Sequence, residues 1–125
     1  MDENRITQEV IGAAIEVHRC VGPGLLEATY QQCLARELAL RSIPFERELA
    51  VGLNYKGLQL ERAYRIDFLV SGRIVVELKS VEKVMPVHRS QLLTYLKWSG
   101  LKLGLLINFN VPVLKSGIHR VVNDL

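Results

Sequence analysis

The chain has 125 residues, 49% of them hydrophobic and 23% charged, with a formal net charge of +3. These are ordinary globular values, which exclude a disordered, fibrous or disulfide-scaffold chain and predict a single domain over 1–125, burying about two-thirds of the surface its unfolded form exposes. A pI near 9.0 permits a polyanionic partner, but so small an excess of positive charge does not establish one.

The opening MDENRITQEV is acidic and polar where a signal peptide would be basic and then apolar. No apolar run approaches the ~20 residues of a membrane span. The expectation is a cytoplasmic protein without membrane contact. From Ile6 to about Arg19, Ile6, Val10, Ala13, Ala14 and Val17 recur at helical steps and predict an amphipathic helix. Gly22-Pro23-Gly24 ends it. A second helix is predicted from Leu26 to about Leu40, with Leu26, Tyr30, Cys33, Leu34 and Leu38 as its buried stripe. Cys20 and Cys33 form no CxxC or Cys/His pattern and read as reduced core residues.

Three strand-like runs follow, Phe45 to Tyr55, Leu60 to Val70 and Arg73 to Ser80, joined by the turn signals Lys56-Gly57 and Ser71-Gly72. They predict an antiparallel meander. Val81 to Pro86 reads as a loop and Val87 to about Ser99 as a helix stopped by Gly100. Leu103 to Phe109, almost wholly apolar, reads as a strand covered on both faces. Ile118 to Val122 is compatible with an added edge strand. The order ααβββαβ implies an α/β fold with helices covering a mixed central sheet.

Side chains alternate along a strand, so Glu77 and Lys79 share a face, opposite Ile74, Val76 and Leu78. In the preceding strand the same rule separates Ile66, Phe68 and Val70 from Asp67. A three-residue turn at Ser71-Gly72 would put Asp67 directly opposite Glu77, and a two-residue turn would make them diagonal neighbours. Either way two carboxylates stand close, which raises one pKa unless a cation offsets the charge. Mg2+ or Mn2+ suits two such oxygen ligands, with water and substrate phosphate in the other positions. Lys79 then sets a point charge against an attacking water or a developing phosphate charge, the wiring of metal-assisted phosphodiester hydrolysis.

D67-x9-E77-L-K79 across a hairpin resembles the signature of the PD-(D/E)XK nuclease superfamily, and the element order is similar to its core. Q91-L-L-T-Y95 resembles the Q-x3-Y motif of RecB-like members, with Gln91 and Tyr95 on one helical face. G24-L-L-E27-A-T-Y30 resembles the motif that names the bacterial GxxExxY protein family, a likeness covering nearly the whole chain. The resemblance implies a metal-dependent nuclease acting on DNA or RNA. Metal ligands would come from Glu27, Asp67, Glu77 and the carbonyl of Leu78. Lys79 would act on water, and Gln91 and Tyr95 would position the phosphate or Lys79. Ile66 stands where the superfamily's namesake proline would be, and two cysteines are too few for a four-cysteine iron-sulfur cluster.

Each residue also has a plainer reading. Asp67 could answer Arg65 or Arg47, Glu77 and Lys79 could be a solvated pair, and Glu27 could serve only the helix dipole. Tyr30 reads as core. Lys83, His88, Arg89, Lys97 and Lys102 form a denser basic segment, either a phosphate-contacting rim or a solvated helix face. Trp98, near a helix end, reads as core, with base stacking as the alternative. His18 and His119 have no assignable partner. Competing with the enzyme are a module that binds nucleic acid or a protein without efficient cleavage, and an assembly role as a homodimer through the Ile118–Val122 edge.

Overall fold

The computed structural model describes residues 2–124; the expected single-domain span of 1–125 includes Met1 and Leu125, which lie outside them. Helix α1 (Glu3–Val21) and helix α2 (Glu27–Leu40) precede three strands, β1 (Phe45–Tyr55), β2 (Leu58–Val70) and β3 (Ile74–Lys79). Helix α3 (Pro86–Ser99), strand β4 (Leu103–Asn108), a 3₁₀ turn (Leu114–Gly117) and strand β5 (Ile118–Val122) complete the order. The strands form one five-stranded sheet in sequential order, antiparallel except for the β3–β4 pair, and β5 takes the expected edge.

The chain folds this way because its apolar residues divide between two layers. The stripe Ile6, Val10, Ala13, Ala14 and Val17 of α1 is buried, with Tyr30, Leu34 and Leu38 of α2, against Val76, Leu78, Leu105 and Ile107 of the sheet. On the opposite face Leu92 and Leu96 of α3 pack with Val75, Leu106 and Val121. All of β4 is buried, as its apolar run requires. A Cβ on Gly104 would stand 2.9 Å from Leu92 Cδ1, so glycine there lets α3 settle closely onto the sheet. No helix of the described residues is long and apolar enough to cross a membrane.

Four expectations are corrected. Leu26, expected in the buried stripe of α2, instead caps that helix and is exposed. Ile66 does not share a face with Phe68 and Val70: those two pack under α1 and α2, whereas Ile66 packs with α3. Strand β1 makes the same switch, since Phe45 lies against the first layer and Leu49 in the second. Between them the ladder pairs Arg47 with Phe68 and Leu49 with Ile66, bracketing Glu48 and Asp67, and Glu48 has a left-handed φ of 50°. Both strands therefore change faces at the level of Asp67. Cys20 is exposed and Cys33 only half-buried, because both line an open groove between α1 and α2 rather than the packed seam. Trp98 is 51% exposed and is not core.

Candidate active site

The turn after β2 is the three-residue form, Ser71 to Arg73, with the Arg73 amide donating to the Val70 carbonyl at 3.0 Å. The register that follows pairs Phe68 with Val76 and so leads Asp67 directly opposite Glu77. There side chains take over from the ladder. The Asp67 amide donates to Glu77 Oε1 at 3.2 Å, and the Leu78 amide donates to Asp67 Oδ2 at 2.9 Å. Each carboxylate thus replaces a backbone acceptor, which accounts for the face switch at this level.

Both acids are buried, at 9% exposure, and the two arginines expected to answer Asp67 are engaged elsewhere: Arg65 faces Glu48, and Arg47 donates to Gln31. Burial is the main cause that pushes the Glu77 carboxyl up to about 9, and the Asp67 charge adds to it. The Asp67 amide and the Lys79 amine oppose the rise, while a hydrogen bond shared with the Asp67 carboxyl favours it. Near neutral pH, Glu77 therefore holds a proton beside Asp67. This proton sits where a divalent ion would compensate the same pair, so two hard oxygen donors that repel when both are ionised fit such an ion. Glu27 stands farther out: among the described residues, no three acidic, histidine or cysteine side chains form a ready-made cluster.

Glu27 opens α2, where the dipole favours a carboxylate. It is exposed, and its carboxyl is raised first by partial burial and further by Asp67, with Lys79 and His88 pulling it back. These couplings place Glu27, Asp67, Lys79 and His88 around one site. Lys79 ends β3, and among the described residues it makes no ion pair. Tyr95 lies on the same side: burial raises its hydroxyl, and Glu77 and Asp67 raise it further. Gln91 and Tyr95 line one groove between α3 and the β1–β2 hairpin. His88 is turned by its Nδ1, which accepts from the Met85 amide at 3.0 Å. Arg89 is not among the groups acting on the acids and stands by His119 of β5. Lys83 is exposed on the loop before α3.

The segment before Glu27 is held by Tyr30. Its ring is fully buried and stacks on Phe109 at 4.4 Å, its hydroxyl donates to the Gly22 carbonyl at 2.6 Å, and it accepts from the Leu25 amide at 3.1 Å. Ser80, just past Lys79, donates to the Leu25 carbonyl at 2.6 Å and ties this loop to the end of β3. Tyr30→Phe is expected to leave a carbonyl and an amide short of a partner, lowering stability by about 1–3 kcal/mol in thermal or urea unfolding.

Two residues of the site had not been singled out. Gln31, four residues after Glu27 and on its helix face, donates to Asp67 Oδ1 at 3.4 Å and accepts from Arg47 at 3.2 Å. That i,i+4 spacing was the available signal. Tyr64 stacks on Tyr95 at 4.5 Å and bonds the Tyr95 carbonyl, fixing the ring that faces the acids. It reaches Tyr95 only because β2 has changed faces, which no local pattern announces. His18 finds its partner in the Val111 carbonyl at 2.8 Å.

Compared with known families, residues 4–121 match a family model described as the PD-(D/E)XK nuclease superfamily. No curated protein and no solved structure matches the chain.

Proposed function

The chain belongs to the PD-(D/E)XK nuclease superfamily, and from that premise we propose that it is a divalent-metal-dependent nuclease hydrolysing phosphodiester bonds of DNA or RNA. The observation that carries the proposal is the buried Asp67–Glu77 pair beside Lys79, which makes no ion pair among the described residues. Asp67, Glu77 and the Leu78 carbonyl would hold Mg2+ or Mn2+, with Glu27 close enough to add a charge from the rim. A bound ion would supply positive charge to the phosphate as negative charge grows on it.

The chain's own groups do the rest. Lys79 extends from the end of β3 and would orient the attacking water through its amine or draw charge from the phosphate oxygen. Tyr95, fixed by stacking on Tyr64, and Gln91, one turn before it, would position the phosphate. Gln31 holds Asp67 and leaves its other oxygen on the Leu78 amide. His88 and Lys83 would contact flanking phosphates, and Arg89 a more distant one towards β5.

Purified protein with Mg2+ or Mn2+ is expected to cut single-stranded or duplex DNA or RNA, and chelation to abolish cutting. Protein that binds these substrates through chelation yet cuts none in either metal would instead be a binding module.

A further inference from the structure

The indole of Trp98 is 51% exposed on the last turn of α3, where water gains nothing from its apolar face. It borders a groove of about 390 Å³ between α3 and the β1–β2 hairpin, within the roughly 300–1,000 Å³ of small-ligand sites. The hairpin contributes Leu53, Ala63 and Tyr64, and α3 contributes Gln91, Tyr95 and Trp98. The walls are mainly apolar and aromatic, and Ser90, Gln91 and Thr94 of α3 offer hydroxyls and an amide able to pair with polar groups.

Two features identify the occupant. The groove neighbours the acidic pair through one residue: Tyr95 lines it, stacks on Tyr64 of the opposite wall, and lies within electrostatic range of Asp67 and Glu77. On the α3 side the flanking charge is of one sign, since α3 carries Arg89 and Lys97 and no Asp or Glu occurs between Lys83 and Asn123, while the hairpin wall sets Glu61 among Arg62 and Arg65. A polyanion that carries a flat aromatic group on every charged unit meets both conditions at any register, whereas an acidic peptide meets them only where a ring happens to fall beside its charges.

We propose that this groove seats an unpaired base of a single-stranded nucleic acid against Trp98, so that the strand passes from the groove into the acidic site. The class of ligand rests on the nuclease reading above. Stacking needs an open base face, which a duplex interior does not present, so the groove selects single strands or frayed ends. The backbone then follows α3, with Lys97 near the stacked base, and reaches the acids past Tyr95.

The test uses metal-free protein, so that nothing is cut. Trp98 is the chain's only tryptophan, and its fluorescence reports the groove directly. Titration with a 12-residue oligothymidylate is expected to give saturable quenching that weakens with salt, and a blunt duplex of the same length to bind at least about tenfold more weakly. Trp98→Ala is expected to weaken binding of a labelled oligothymidylate about 5- to 100-fold, the effect of one lost stack, and Trp98→Phe to restore most of it at unchanged Tm. Unchanged fluorescence at saturation, a duplex bound as tightly as the single strand, or wild-type binding by Trp98→Ala would overturn the proposal. Any of these alongside metal-dependent cleavage removes the subsite and keeps the nuclease, while quenching without cleavage in any metal removes the nuclease and keeps the subsite.

Discussion

Lys79→Ala is expected to reduce metal-dependent cleavage by about 10²–10³-fold, the usual effect of deleting one charge that stabilises a transition state, while the protein remains folded. The two parts of this outcome have separate causes. Lys79 is half-exposed at the end of β3 and in no ion pair among the described residues, so its removal strands no buried partner. Thermal unfolding should shift by no more than a surface substitution does, within about 0.5 kcal/mol. Its charge nevertheless acts on both Glu27 and Glu77, which puts the amine at the site's centre. Lys115→Ala, on the 3₁₀ turn beside α1, serves as the control of equal charge and should cut like wild type. Single-turnover cleavage with saturating metal reads the effect. Unchanged cleavage by Lys79→Ala would remove the lysine from the chemistry.

The architecture was legible where a period repeats. Val10, Val17 and their partners keep a helical step, Leu103–Asn108 is apolar throughout, and Lys56-Gly57 is a turn signal that the chain uses, with both residues at positive φ. The acidic pair was legible for the same reason: counting back from a three-residue turn sets Asp67 against Glu77, as the register leads. Tyr30 was rightly read as core, although its second duty, fastening the loop before Glu27, depends on hydroxyl contacts that spacing does not reveal.

What could not be read was decided by pairing between distant segments. The change of face in β1 and β2 requires Glu48 in a left-handed conformation opposite an aspartate whose carboxylate has captured a backbone amide. Neither residue type signals this. Strict alternation therefore failed at Ile66, and the switch is what carries the outer hairpin to the side of α3. Trp98 is a different case, since its exposure follows from the helix itself. Leu92 and Leu96 mark the buried stripe, and two further residues turn the chain about 200° away from it. The cysteines failed because α1 and α2 diverge enough to leave a groove at their side chains, a matter of packing between elements.

Glu77→Gln should raise the thermal stability of the metal-free protein at pH 8 while abolishing cleavage and any stabilisation by Mg2+ or Mn2+. The folded chain holds the Glu77 carboxyl at about 9, far above the ordinary value of 4.5 in the unfolded chain. Between these values the native state binds the extra proton, so stability declines as pH rises. The contribution is fully present below about pH 4.5 and is lost as pH climbs towards about 9. At neutral pH and above, the wild type without metal thus bears a cost that the neutral amide avoids, on the order of a few kcal/mol, or several degrees in Tm. A divalent ion should reverse the balance in wild type alone. Metal uptake would then release about one proton near pH 7, and apparent affinity would climb by up to about tenfold per pH unit until Glu77 ionises freely. Calorimetry in buffers of different ionisation enthalpy measures the proton, and melting curves with and without Mn2+ from pH 5 to 9 measure the linkage. Should Mn2+ stabilise Glu77→Gln as strongly as wild type, or bind wild type without releasing a proton, the ion lies elsewhere and the Asp67–Glu77 pair is not its seat.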